Sequence, residues 1–218
     1  MKLSLLIAGL FAATALHAAP VYNNTAITSD TGNTVVYSSG VFSDIGDQIH
    51  LAGTERIGDN AAAQFYNLGS DGNFVAHLNL YGLPVNNTDV VGSLLGSYTA
   101  ASMFLAGGNL LEVSWSLAGL NLPDDLIFTV TVSDFTAGMD LGLTVFDPPT
   151  VGSSSNQFLI VKGGGGFAQS SQGNGQDNIY FRLNASSPNR VPEPGSAGLM
   201  LLAMLPLIAI QRRRVVSR

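Results

Sequence analysis

Histidines and glutamates move protons most readily near neutral pH, and between residues 21 and 190 the chain has only His50, His77, Glu55 and Glu112. A Ser-His-Asp hydrolase would have to recruit one of the two histidines, yet no Gly-x-Ser-x-Gly elbow singles out a serine for it. His50 stands between Ile49 and Leu51, and His77 precedes Leu78, which places both on the polar face of a strand. A zinc site built from both would lack any short-spaced ligand signature. A glycosidase needs two carboxylates at a fixed separation, for which Glu55 and Glu112 are the available glutamates. The remaining acids are aspartates, many of them in turn contexts where Asp is favoured for backbone reasons. No catalytic constellation emerges, and the chain reads as non-catalytic, with a secreted polysaccharide hydrolase as the competing class.

Calcium is the metal that the residue types suit best. Oxygen donors cluster in Asp44-Ile45-Gly46-Asp47, in Asp71-Gly72-Asn73 and in Asp124-Asp125. Calcium takes about six to eight oxygens, and none of these runs has EF-hand spacing. Asp-Gly is also a common turn dipeptide, so Asp44, Asp47, Asp71 and Asn73 are candidates only, and no other cofactor is expected. A calcium-bridged structural protein is the third functional class left open. The glycines at 163–166 have no Gly-Lys-Ser/Thr after them, which removes a phosphate-binding reading. Tyr66, Tyr81, Tyr98 and Tyr180 fall where they can project from sheet faces, and exposed rings there can stack on sugars.

The elements that must carry these residues are strands. Phe74, Ala76, Leu78 and Leu80 alternate with polar neighbours, as do Leu111, Val113, Trp115 and Leu117. Leu126, Phe128, Val130 and Val132 repeat the pattern, followed by Leu141, Leu143 and Val145 and by Ile179, Phe181 and Leu183. Period two over so many segments, separated by Gly-Asp, Asp-Gly and Pro-Pro turns, predicts an all-β antiparallel sandwich of nine or ten strands, jelly-roll-like, with Trp115, Phe128, Phe74 and Phe181 in its core. The Gly/Ser/Gln/Asn-rich stretch from Gly163 to Asp177 reads as one loop between Val161 and Ile179.

Composition sets the compartment. Of 218 residues, 46% are hydrophobic, 11% charged and none is Cys. Without Cys there is no disulfide framework, thiolate metal site or cysteine nucleophile. Between residues 21 and 190 four basic residues face fourteen acidic ones, which disfavours nucleic acid as a partner. The basic residues gather at the ends, and both ends read as topogenic signals. Lys2, the apolar run Leu3–Leu16 and the small residues after it have the order of a secretory signal peptide, cleaved after Ala18. At the other end Ala197–Ile210 is uncharged and is followed by Arg212, Arg213 and Arg214. A transmembrane helix of about 196–211 with those arginines in the cytoplasm puts the body on the far side of the membrane, in agreement with the signal peptide.

Immediately before that helix stands Val191-Pro192-Glu193-Pro194. The order Pro192-Glu193-Pro194, apolar helix, Arg212–Arg214 resembles the sorting tail of bacterial PEP-CTERM proteins. That resemblance implies an exosortase partner, transient anchoring in the inner membrane of a Gram-negative bacterium, release to the surface or medium, and association with extracellular polysaccharide or biofilm. The body also resembles ectodomains carried by that class, in Phe42–Ile49, Leu51–Thr54, Gly72–Tyr81 and Phe146–Gly152, a likeness that implies no activity. The expected organisation is a signal peptide (1–18), an exported β domain (19–185), a linker (186–190) and the sorting signal (191–218).

Overall fold

The computed structural model describes residues 18–25, 34–37, 42–85, 90–146, 148–155, 157–162, 167–170 and 178–187. Residues 1–17 of the expected signal peptide, Pro192-Glu193-Pro194, the expected membrane helix and Arg212–Arg214 lie outside them. The chain divides into two units between Ser187 and Pro188, and only the first contains described residues.

Fifteen strands follow one another among the described residues: β1 (Ala19–Asn23), β2 (Thr34–Val36), β3 (Phe42–His50), β4 (Ile57–Asn67), β5 (Gly72–Gly82), β6 (Leu94–Thr99), β7 (Met103–Leu105), β8 (Leu110–Asn121), β9 (Asp125–Ser133), β10 (Leu141–Phe146), β11 (Ser153–Ser154), β12 (Phe158–Lys162), β13 (Phe167–Ser170), β14 (Asn178–Ile179) and β15 (Phe181–Ser186). They form two antiparallel sheets. The first runs β1-β15-β4-β10-β14, with β2 on β10 and β8 on β4. The second runs β13-β12-β3-β9-β5-β6, with β11 on β3 and β7 on β5.

One core lies between the sheets. Phe74, Phe128 and Phe181 are fully buried and Trp115 is 3% exposed, as the alternation predicts. Phe128 of the second sheet stacks on Phe181 of the first, with ring centroids 3.8 Å apart and planes 7° from parallel. Stacked rings make contacts beyond the area they bury, so this pair ties the sheets together. Gly46 is required by close approach: a Cβ built there would lie 1.9 Å from the Phe128 carbonyl oxygen.

Several expectations are corrected. The strand count exceeds nine or ten because the long connections carry short pieces of two to four residues that pair with the main strands. The stretch after Val161 is not a single loop: β13 pairs antiparallel with β12, and Ala168 packs against the core. Leu126–Val130 is buried on both faces, not one, because β9 lies between β3 and β5 and their side chains cover its outer side. β15 runs through Ser186, one residue into the expected linker, since Ala185 is buried and Asn184 is paired. β1 begins at Ala19, opposite Ala185.

Candidate functional site

Most of the sequence-nominated groups are separated by the fold. His50 ends β3, exposed, with Nδ1 2.8 Å from Asp125 Oδ1. His77 lies on β5 with Nδ1 2.9 Å from Thr99 Oγ1 and Nε2 2.9 Å from Ser133 Oγ, so hydroxyls take both ring nitrogens. Their rungs on β9, Asp125 and Thr131, are six residues apart, on the order of 20 Å at a strand's rise, which breaks up any two-histidine zinc site. Glu112 stands opposite Gln64, seven residues along β4 from its start at Ile57 and so on the order of 23 Å from it, while Glu55 lies before that start. That is too far for the paired carboxylates of a glycosidase.

The calcium candidates part in the same way. Asp44 and Asp47 belong to a strand, not a loop, and three residues of strand turn them to opposite faces. Asp44 is half-buried on the outer side, where its carboxylate accepts from Ser43 Oγ at 3.0 Å and Thr129 Oγ1 at 3.4 Å. Burial raises its carboxyl above the usual range against those two hydroxyls. Asp47 faces the core, fully buried. Its carboxyl is pushed far up by loss of water, opposed by the bond from the Gln48 N–H. Asp71 Oδ1 accepts from the Gly107 N–H at 2.7 Å, and the Asn73 N–H donates to Thr136 Oγ1, so both stabilise the β4–β5 turn region. Asp124 is bonded to Arg56. Among the described residues no three His, Asp or Glu come together as a metal cluster.

What the fold does assemble is a polar strip on the outer side of the first sheet. Pairing of β4 with β8 sets Asn60 opposite Ser116, Ala62 opposite Ser114, Gln64 opposite Glu112 and Tyr66 opposite Leu110. On the other side of β4, β15 sets Asn184 opposite Asn60 and Arg182 opposite Ala62. Glu112 is the hub. Tyr180 donates its hydroxyl to Oε2 at 2.6 Å, and Arg182 Nη2 donates to Oε1 at 2.9 Å. Asn184 Nδ2 donates to Asn60 Oδ1 at 2.8 Å, and Thr144 Oγ1 to Gln64 Oε1 at 3.1 Å. Burial of Tyr180 and the adjoining Glu112 push the phenol up to about 12, against the pull of Arg182. It therefore remains a hydrogen-bond donor at all ordinary pH.

Beside the strip, the edge strands β6 and β8 flank a cleft of about 590 Å³, lined by Ser97, Tyr98, Thr99, Glu112, Ser114 and Ser116 among others. Tyr98 spans it, donating to the Leu117 carbonyl at 3.3 Å. Trp115 faces inward, with Nε1 3.4 Å from the Ala76 carbonyl. The strip and cleft thus present hydroxyls, planar amides, an oriented carboxylate and a guanidinium, with Tyr66 half-exposed beside them. This set suits a ligand with many hydroxyl groups, which pairs with fixed planar donors and acceptors. Ser114 and Ser116 have no histidine on their sheet, since His50 and His77 both belong to the second. Sequence reasoning found Glu112 and Tyr180 but missed Arg182, Asn60, Asn184, Gln64 and Thr144. The period-two polar series Asn60, Gln64, Tyr66 was the available signal, hidden by the run Ala61-Ala62-Ala63.

Comparison with protein-family models, with curated proteins and with solved structures returns no match for the chain.

Proposed function

We propose that this chain is an exported, non-catalytic protein of the cell surface or extracellular matrix, built on a jelly-roll-like β-sandwich, that holds extracellular polysaccharide on its polar strip. The observation that carries the reading is the Glu112 hub. Two donors from β15 and the segment before it fix a carboxylate on an open sheet face, ringed by amides and hydroxyls. A fixed carboxylate accepts from two sugar hydroxyls at once, and each side chain already immobilised lowers the entropy lost on binding. The acidic body suits a polymer that is neutral or carries its charge through bound cations. Delivery rests on the sequence of both ends: a signal peptide, then Pro192-Glu193-Pro194, an apolar helix and Arg212–Arg214, for processing by an exosortase.

The test is retention of the purified protein on exopolysaccharide from the producing bacterium. Glu112→Gln keeps the shape and removes the charge, and is expected to weaken retention by about tenfold, while the circular dichroism spectrum stays that of the parent. Equal retention of the two proteins contradicts the reading, as does shortening of the polysaccharide during incubation.

A further inference from the structure

The outer side of the first sheet changes character one rung beyond Glu112. Gln64 and Glu112 face each other across β4 and β8, and the next outward pair is Tyr66 opposite Leu110. On its other side Tyr66 stands opposite Gly142 of β10, which stands opposite Val36 of β2. A Cβ on Gly142 would run into the Thr34 methyl, so that methyl occupies the place of a side chain there. Four neighbouring strands thus carry one apolar row, about 14 Å long at the usual strand spacing. Leu110 is 55% exposed, and Tyr66 and Val36 are half-buried.

Leu68 widens the row and is held in place. The ladder between β4 and β10 continues one rung past Asn67, where the Leu68 N–H donates to the Asp140 carbonyl at 2.8 Å. Alternation keeps Leu68 on the same face as Tyr66. Asn67 beneath it is fully buried and makes four hydrogen bonds. Its Nδ2 donates to the Ser70 and Leu105 carbonyls at 2.8 and 3.1 Å, and its Oδ1 accepts from the Gly69 and Asp140 N–H groups at 3.0 and 3.3 Å. Those bonds fix the turn with Leu68 outside, 50% exposed. Single exposed leucines are ordinary on a protein surface, but apolar groups aligned across adjacent strands beside a polar strip form one patch.

We propose that the polysaccharide laid on the strip carries methyl-bearing substituents, deoxysugar methyls or O-acetyl esters, and that these lie on this row. The inference rests on the polysaccharide reading and adds the class of sugar. The row is continuous with the strip and about 7 Å from the Glu112 rung, so a polymer whose hydroxyls meet Glu112 passes over it. A bare hexose has hydroxyls around most of its edge, and pressing one against leucine removes its water without returning a hydrogen bond. A methyl group loses nothing there and gains from burial, by a factor of about four in affinity for each carbon covered. Glu112, one rung before the row, and Asp140, opposite Leu68, bound the patch with carboxylates that accept from hydroxyls on either side of such a substituent.

The experiment is retention of the purified protein on exopolysaccharide from the producing bacterium, native and after mild alkali, which hydrolyses O-acetyl esters and leaves deoxysugars intact. Leu110→Asn and Leu68→Asn are each expected to weaken retention on the native polymer by about four- to tenfold, with the circular dichroism spectrum of the parent. Where the methyl belongs to an ester, alkali lowers retention of the parent by the same factor and leaves Leu110→Asn unchanged. Where it belongs to a deoxysugar, alkali changes neither protein, and the proton spectrum of the polymer shows the deoxysugar methyl. Retention of the parent on a polymer whose spectrum has neither methyl signal overturns the inference. Equal retention of the parent and both leucine variants, while Glu112→Gln binds more weakly, overturns the row and leaves the strip reading in place. A dimer of the parent in light scattering that Leu110→Asn dissociates gives the row to a second copy and overturns it as well.

Discussion

Glu112 is held by two donors of different kinds, and the neutral one can be removed without disturbing charge. Tyr180→Phe deletes the hydroxyl that donates at 2.6 Å but leaves the ring against Phe146, 5.2 Å away, and leaves Arg182 on the other oxygen. A hydrogen bond to a charged acceptor, partly open to solvent, is worth about 1–2 kcal/mol, and that is the expected loss in urea unfolding at pH 8. The pH dependence has a definite sign. Tyr180 titrates near 12 in the folded protein and near 10 when unfolded, so its contribution is complete below pH 10 and is lost as the pH rises from 10 towards 12. Tyr180→Phe should flatten that part of the stability–pH curve, and an unchanged alkaline slope would show that Tyr180 is not its source. At this scale the sequence reveals identity but not company. Glu112 is conspicuous as one of two glutamates in the body, whereas its partners stand 68 and 70 residues away, where no local spacing points to them. Asp47 shows the reverse. Its neighbours in sequence suggest a surface turn, and only the strand alternation of Ile45, Asp47 and Ile49 turns it inward.

Strands whose apolar residues alternate cleanly were legible as elements. Phe74–Leu80 and Val113–Leu117 bury the residues their pattern marks, because each lies in a sheet with one covered face. β4 was not legible: three consecutive alanines hide its period, yet it is the strand that both β8 and β15 pair with, and so the one that organises the strip. Short strands such as β11 and β14 have too few residues to show any period and form only because their neighbours offer free edges. The edge at β8 ends in an irregularity, where pairing with β4 shifts between Gly58 and Asn60 and Ala118 takes φ 51° beside Gly119 at φ 79°. A bulge of that kind twists the end of an exposed strand away from a neighbouring chain. The C-terminal tail is an element read from sequence alone. Mass spectrometry of the protein recovered from the producing bacterium should find a chain that starts at Ala19 and ends before the apolar run at Ala197. A mature chain that still ends at Arg218 would remove the processing step, though not the membrane anchor.

In the unit that ends at Ser187, two antiparallel sheets of the described residues close over one core, pinned by Phe128 on Phe181. The all-β class and the four aromatic core residues follow from composition and period. Sheet order does not, because antiparallel pairing of β15 with β1 and β4 joins segments more than a hundred residues apart. That long-range pairing is also what builds the strip, so fold and candidate site became legible together. Polysaccharide laid along this strip, as proposed, covers the outer face of β4 and β8. Hydrogen exchange read by mass spectrometry, with and without the producing bacterium's exopolysaccharide, tests it most directly. Among the described residues β8 pairs only with β4, so half of its amides face the open side and report on anything laid there. Slowed exchange is expected in peptides covering Leu110–Ser116, with smaller protection at Asn60–Tyr66 and Tyr180–Asn184. Protection confined to the His50–Arg56 end, or none on the first sheet while the polymer is bound, would contradict it.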